Sequence, residues 1–460
     1  ADAGLAPPVV EPTNQQKEIA KLKNLLFFQI ESQALDGDGG ESEGAKKALQ
    51  ELLLQGKEAL ISQMRVVLAP LRVSPLGAHI DHQLGVVTGF NISRYVYYVF
   101  LPLSHPSVLL SSTSFSPPLS FPLPPPPLKK EDWGNHARGA CLSLINFIKN
   151  KKNEDIRPNG MIGVIHSTMP IGGLSSSAAS TLCYLFSLEF CNNFEVSRED
   201  KVELCRQTEN DFLGLKNGLL DQTTILFSRP SHLTCIDCQK GVRETPTLVR
   251  WGEENNHDSG PIPFKVMIVY CGKSRVLANT NYNNRVTECR EAASLLLLTD
   301  ETKKLREVPV ETYEKNKHKL PDNLAKRAKH FMTEQARVFE GKDEWRKGDF
   351  SSFGRLVFAS GESSVNNYEA GSPQLVTLYE LFCEIGQTGG VYGARFSGGG
   401  FGGCCLALVD PQQQDAIAKR LHAIYPKKHP EEKDCYSIHF CDSAESVRLL
   451  GEDESQNVGL

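Results

Sequence analysis

Pro170-Ile171-Gly172-Gly173-Leu174-Ser175-Ser176-Ser177-Ala178-Ala179 decides how this chain is read. A proline and two glycines lead into three consecutive hydroxyls, and the apolar run Leu182, Leu185, Phe186 continues from Ala178 at helical spacing. Glycine lets a backbone turn tightly and approach a ligand closely. The serines then place hydroxyls and free backbone N–H groups at a helix N-terminus, where the helix dipole favours an anion. The stretch therefore reads as a phosphate cradle. It is not of the Walker type, because no lysine follows the last glycine.

Bulk properties restrict the company this cradle keeps. The chain has 460 residues, 40% of them hydrophobic, and a formal net charge of −5. That length allows two or three domains or one bilobal core, and the charge gives no basic field for nucleic acid. No uninterrupted apolar run approaches the roughly 18 residues of a membrane span. The opening residues lack the basic-then-apolar order of a signal peptide. Thirteen cysteines are scattered, with one isolated Cys235-Ile-Asp-Cys238 and no second pair at zinc spacing, so buried reduced thiols and a cytoplasmic location are expected.

Along the chain, residues 1–64 read as a peripheral extension with helices over 16–33 and 45–64. Arg65 to Pro70 starts the first core strand. Leu101–Leu128 holds nine prolines and seven serines and no Asp, Glu, Lys or Arg, which predicts a disordered or polyproline-like insertion. Helix is expected near 137–149, strand at 160–166, helix at 200–210, and strands at 226–227, 232–238, 264–270 and 404–409. Further helices are expected at 287–298, 324–347 and 374–384. This irregular alternation favours an α+β bilobal protein over a doubly wound parallel sheet.

Three clusters accompany the serine loop. Arg72-Val73-Ser74-Pro75-Leu76-Gly77-Ala78-His79-Ile80-Asp81-His82 gathers an arginine, two imidazoles and a carboxylate at the end of a strand, a rigid base for a site. Asp221 follows Leu219-Leu220 and Glu209 stands twelve residues before it; an acid at an apolar boundary is costly unless it is paired or functional. Gly393 to Gly403 carries six glycines between apolar runs, a flexible set of N–H donors. A phosphate cradle, a candidate base, a cationic arginine and a carboxylate for a divalent ion make a phosphoryl-transfer inventory, because that chemistry is mostly positioning and charge neutralisation.

Gly173 to Ala179 resembles the second motif of the GHMP small-molecule kinases. Arg72 to Asp81 resembles the sugar signature of their galactokinase branch, and Gly393-Ala394-Arg395-Phe396-Ser397-Gly398-Gly399-Gly400-Phe401-Gly402-Gly403 resembles its third motif. The similarity runs over about residues 65 to 445, and the wording of the motifs is most similar to the plant-type galacturonokinases. The resemblance implies a bilobal GHMP kinase fold, with a ribosomal S5-like lobe over 65–255, interrupted by the insertion at 101–130, and a ferredoxin-like α+β lobe over 256–460. It implies ATP and Mg²⁺ as cofactors and a small sugar as partner, with no nucleic acid or membrane and a monomeric state.

By the same resemblance Asp221 is the catalytic base and Arg72 the arginine that stabilises it and the moving phosphoryl group. Ser177 and Glu209 are Mg²⁺ ligands, and Gly172, Gly173, Leu174, Ser175, Ser176 and Ser177 wrap the nucleotide phosphates. Trp133 and His136 lie beside adenine. Ala78, His79, Asp81, Tyr282 and Arg285 face the sugar. Galactokinases carry a glutamate where this chain has Ala78, and there it accepts the sugar's C6 hydroxyl. A carboxylate facing a C6 carboxylate would repel it at low dielectric, so alanine points to a uronic acid. The expected reaction is ATP-dependent phosphorylation of the anomeric hydroxyl of galacturonic acid. Galactokinase, or a sugar- and ATP-binding regulator that has lost catalysis, are the alternatives. His79, His82, Arg94 and Arg285 are the cations considered for the carboxylate.

Overall fold

The computed structural model describes residues 13–35, 43–128, 132–153, 155–170, 172–241, 244–255, 262–273 and 281–451; Ile171 of the serine loop and the end of the expected insertion at 129–130 fall outside them. The N-terminal lobe begins with helices α1 (Asn14–Leu35), α2 (Glu43–Leu53) and α3 (Lys57–Gln63). The single helix expected over 45–64 is thus two, parted at Gly56, whose φ of 85° suits glycine. Strands β1 (Arg65–Val73), β2 (Val86–Leu103), β3 (Ser107–Ser112), β4 (Leu119–Pro122) and β5 (Gly160–Ser167) follow, with α4 (Asn135–Lys152) before β5. Next come α5 (Ser176–Asn192), α6 (Arg198–Arg206), α7 (Leu220–Phe227), β6 (His232–Asp237) and β7 (Thr247–Arg250). Residues 226–227 end a helix rather than form a strand: Ile225 and Leu226 are buried and Thr224 Oγ1 donates to the Leu220 carbonyl one turn back.

Both faces of the large sheet are covered, which is why its strands read as continuous apolar runs. Successive side chains alternate between two cores. Val67, Ala69 and Leu71 of β1 face α4, α5 and the site, whereas Val66 and Leu68 join Leu22, Leu26 and Ile30 of α1. The N-terminal helices, read from sequence as peripheral, therefore close the back of the sheet.

The proline-rich segment is not the disordered or polyproline-like insertion that its composition predicts. It supplies β3, parallel to β5, and β4, antiparallel at the sheet edge. The prolines sit where a missing N–H is tolerated. Pro106, Pro117 and Pro118 lie between strands, and Pro122 ends the edge strand. Pro102 falls beyond Phe100, where the β1–β2 pairing has already stopped. Val108-Leu109-Leu110 is fully buried and behaves as an ordinary strand.

In the C-terminal lobe, β8 (Lys265–Tyr270), β9 (Val391–Phe396), β10 (Cys404–Val409) and β11 (Ser437–Cys441) form an antiparallel sheet in the order β11-β8-β10-β9. Helices α8 (Tyr282–Leu297), α9 (Val310–Asn316), α10 (Asp322–Lys347), α11 (Phe350–Asn366), α12 (Pro373–Ile385) and α13 (Gln414–Lys428) surround it. The chain then returns to the first sheet, where β12 (Arg448–Leu449) pairs with β1. All thirteen cysteines are free thiols, eleven of them buried. Among the described residues no helix is long and apolar enough to cross a membrane.

Candidate active site

The site lies where the two lobes meet, and glycine makes the meeting possible. Gly172 and Gly173 adopt φ of 139° and 80°, and a Cβ on Gly173 would stand 2.5 Å from the Ser397 carbonyl oxygen. A Cβ on Gly172 would stand 2.8 Å from the Gly403 Cα. The serine loop of one lobe thus packs directly on the glycine-rich turn of the other, and Ser397 Oγ donates to the Gly173 carbonyl at 2.6 Å. Gly398 and Gly403 of that turn make this close approach to Gly173 and Gly172, and Gly398 and Gly399 also line the cleft.

Ser175 caps α5 in a left-handed conformation, and its buried Oγ has no hydrogen-bond partner. The first N–H groups of α5 have no intrahelical acceptor, and together with that hydroxyl they form an anion-seeking surface. Beneath it lies Arg72 at the end of β1. Its Nε donates to Asp221 Oδ1 at 2.8 Å, its Nη2 pairs with the same oxygen at 2.7 Å, and its Nη1 donates to the Gly173 carbonyl at 3.1 Å. Arg72 is buried and Asp221 is partly open to the cleft, so the pair fixes the aspartate while leaving it reachable.

Glu209 arrives through a single π-helical stretch, Gln207–Phe212, that continues α6. The wider turn lets the adjacent Thr208 and Glu209 both point inward, and such turns recur at functional sites. Burial, reinforced by the charge of Asp221, raises the Glu209 pKa to about 7, with Asn217 and Ser177 partly offsetting. Asn217 Nδ2 donates to Glu209 Oε2 at 2.8 Å, while Oε1 is sealed from water without a hydrogen-bond partner. A buried carboxylate oxygen with nothing to bind, beside a serine hydroxyl, fits a cation that takes one or two protein oxygens and draws the rest from phosphates and water, as Mg²⁺ does.

The sugar-side turn is held from behind. Glu334 of α10 is fully buried and its Oε1 accepts the backbone N–H groups of Gly77 at 2.8 Å and Ala78 at 3.0 Å. It also accepts Ser360 Oγ and pairs with Arg337. Burial would raise its pKa, but Arg337, His330 and Arg395 outweigh that and hold it at about 2. His330 Nε2 donates to the Ala78 carbonyl at 2.8 Å. Burial keeps His330 neutral, with a pKa of about 4, so Nδ1 is the acceptor for Ser363 Oγ. The Ala78 peptide is therefore clamped on both sides. His79, at φ 57°, stacks its ring on Tyr368 with centroids 4.2 Å apart. Burial and Asp221 raise Asp81 to about 6.

Arg72, Ala78, His79, Asp81, Glu209, Asp221 and Tyr282, seven of the residues singled out from sequence, line one narrow cavity of 70 Å³. A wider opening of 590 Å³ adjoins it across Asp81, Asn217 and Gly218. Other candidates stand elsewhere. Arg285 does not line the cavity; it is held by Glu288 at 2.9 Å and lies 3.9 Å from Glu369. Arg94 is spent on the Ser93 and Phe440 carbonyls, and the His82 ring is bonded to Tyr368 and Gln83. Trp133 and His136, at the start of α4, are away from the sugar side; Trp133 stacks on Phe115 and donates to the Pro117 carbonyl. Sequence reading overlooked Arg395, Glu334 and His330. Arg395 lay within a quoted motif whose glycines drew the attention, and the other two gave no local signal.

Comparison with known proteins shows what the whole chain is similar to. The models for the GHMP kinases N terminal domain and the GHMP kinases C terminal match residues 137–229 and 342–427. A galacturonokinase of Arabidopsis thaliana is 37% identical over 416 residues, spanning 84% of this chain and 94% of its own length. A galactokinase of Staphylococcus carnosus (strain TM300) is 29% identical over 386 residues, spanning 83% and 94%. The structure of Lactococcus lactis galactokinase complexed with galactose superposes with a TM-score of 0.73 at 26% identity, covering 84% of this chain and 95% of that one. The mevalonate kinase of Methanococcus jannaschii, at a TM-score of 0.58 and 16% identity, shares the fold.

Proposed function

The chain belongs to the GHMP kinase family and is a sugar kinase; we propose that it transfers the γ-phosphoryl group of ATP to the anomeric hydroxyl of D-galacturonic acid, giving galacturonate 1-phosphate and ADP. The observation that carries the choice of acceptor is Ala78: a buried methyl group, 3% exposed, lines the cleft at the position where galactokinases present a carboxylate. The galacturonokinase relative supports the same choice.

In this account Asp221 receives the proton of O1 as the O1–phosphorus bond forms and the bridge to ADP breaks. Arg72 engages Asp221 Oδ1, by the Nε hydrogen bond and the Nη2 ion pair, leaving Oδ2 without a hydrogen bond among the described residues. The same guanidinium balances charge developing on the transferred group. Asp81 accepts sugar hydroxyls, Tyr282 lines the sugar cavity, and the backbone of Gly172 to Ser177 binds the phosphates. Glu209 and Ser177 would hold Mg²⁺, which would supply neutralisation of the nucleotide's phosphate charge. The paired Arg72 and Asp221 speak against a regulator without catalysis, since an aspartate serving structure alone has no need to open on the cleft.

ADP release measured with each sugar separately tests the proposal. Turnover with galacturonate, and at least about 100-fold lower kcat/KM with galactose, is expected from the loss of a partner for a buried charged site. Faster turnover with galactose, or none with either sugar, overturns it.

A further inference from the structure

Removing a repelling carboxylate makes room for a uronate, but a C6 carboxylate also needs a cation. Asp81, Glu209 and Asp221 all line this narrow cavity, so a further carboxylate entering it meets acidic groups on its walls. An anionic substrate could enter it only against a matching positive group. Of the cations considered from sequence, only the His79 imidazole lines the cavity without being ruled out, and it offers no fixed charge or two-pronged donor for a carboxylate. Arg94 and Arg285 do not line the cavity, and His82 is stripped of charge by burial, its pKa driven to about 3. Arg72 lines it but is committed to Asp221 and Gly173.

Arg395 of β9 remains as the permanently charged group of this cavity, apart from Arg72. It lines the same cavity as Ala78 and Ser74 and is 2% exposed. Its Nη1 donates to the Ser74 carbonyl at 3.1 Å, and its Nε is buried without a hydrogen-bond partner. No carboxylate oxygen among the described residues stands within ion-pair distance of it. Glu334 is its main counter-charge, from farther off, and that anion already serves two backbone N–H groups, Ser360 and Arg337. A guanidinium in low dielectric is costly unless an anion meets it, and an orphaned donor adds to that cost.

We propose that Arg395 is the receptor for the C6 carboxylate: the anion that completes its coordination comes from the substrate. Where a carboxylate stands at position 78, as in galactokinases, the protein itself supplies the negative charge on this wall. With Ala78 the charge moves from protein to ligand, and the same arginine then selects a uronic acid. This assignment rests on galacturonate being the acceptor. It adds that the preference is set by one residue from the C-terminal lobe acting across from the Ala78 turn.

The test compares wild type with Arg395→Gln and Arg395→Lys, using galacturonate and galactose as acceptors. Arg395→Gln is expected to lower kcat/KM for galacturonate by about 100-fold, mainly through KM, and to change galactose by less than about 3-fold. Arg395→Lys keeps the charge but loses the Nε donor and the planar fork, so an intermediate, galacturonate-selective loss of about 10-fold is expected. Because a buried arginine also supports folding, wild type provides a second readout. Its Arg395 Nε–H resonance, identified by its absence in Arg395→Lys, should move downfield on adding galacturonate and stay in place on adding galactose. Equal losses for both sugars, or a resonance indifferent to galacturonate, would overturn the assignment. If wild type fails to phosphorylate galacturonate at all, the proposed acceptor falls as well; if it does phosphorylate it and the variants lose both sugars equally, only the role of Arg395 falls.

Discussion

Replacing Ala78 by glutamate should turn the enzyme toward galactose. The clamp from Glu334 and His330 uses only the backbone of residue 78, so a longer side chain leaves it intact and projects into the cleft. A new carboxylate about 4 Å from the C6 carboxylate of galacturonate would repel it by about 4 kcal/mol at an effective dielectric constant near 20, roughly a thousandfold. Protonating the new glutamate offers an escape. From an ordinary pKa of about 4.3 that costs about 3.7 kcal/mol at pH 7, so it relieves little at first sight. The cleft lowers this cost, because it already raises Asp81 to about 6 and Glu209 to about 7. The ratio of kcat/KM for galacturonate to that for galactose should therefore fall by about 10- to 1000-fold, the lower figure applying if the cleft raises the new glutamate to about 6, as it does Asp81, where protonation at pH 7 costs about 1.4 kcal/mol. An ADP-coupled assay with both sugars on the same preparation gives the ratio directly, and circular dichroism checks the fold. A ratio that moves by less than about 3-fold in a folded variant refutes the electrostatic reasoning.

Three further outcomes are expected. Asp221→Asn keeps the shape of the side chain but removes the base, so kcat should fall by about a thousandfold while MgATP binding, followed by fluorescence or calorimetry, persists; near-normal kcat would remove Asp221 from the chemistry. Glu334→Gln should destabilise the fold by about 3 kcal/mol, the linkage value of a carboxyl held at about 2 rather than 4.5, and raise the sugar KM by loosening the Ala78 turn. Because the folded pKa is the lower one, this stabilisation is present above pH 4.5 and is lost as pH falls toward 2, a slope that chemical denaturation should find in wild type and miss in the variant. Asp81 has its pKa raised, so its ionised, hydroxyl-accepting form is lost below pH 6; at saturating MgATP, kcat/KM for the sugar should decline on an acid limb near that value, and Asp81→Asn should abolish the limb along with most of the activity.

What was legible in the sequence was what the chain encodes locally. The serine loop announces itself through glycine and hydroxyl chemistry within ten residues, and Arg72 and Asp221 sit beside recognisable turns. Their pairing across 149 positions followed from family resemblance, not from spacing. The clamp on Ala78 joins residues 256 apart, and the bond from Arg395 to Ser74 joins residues 321 apart; no local pattern carries either. The π-helical stretch that turns Glu209 inward is equally silent, since a helical periodicity with one extra residue looks like a helix that ends. Composition misled in one place. Nine prolines between 101 and 128 suggested disorder, yet Val108, Leu109 and Leu110 are buried because the prolines occupy connections and sheet edges. Strand register, not proline content, decides whether such a segment can join a sheet.

The central claim concerns which hydroxyl, on which sugar, receives the phosphoryl group. One measurement addresses it: the protein is given MgATP, limiting against an equimolar mixture of galacturonic acid and galactose, and the phosphorus spectrum of the products is recorded. The account predicts that ATP is consumed and that the dominant new signal is the anomeric phosphate of galacturonate, coupled to its H1. A dominant galactose 1-phosphate signal, phosphate at any other hydroxyl, or ATP left intact would contradict it.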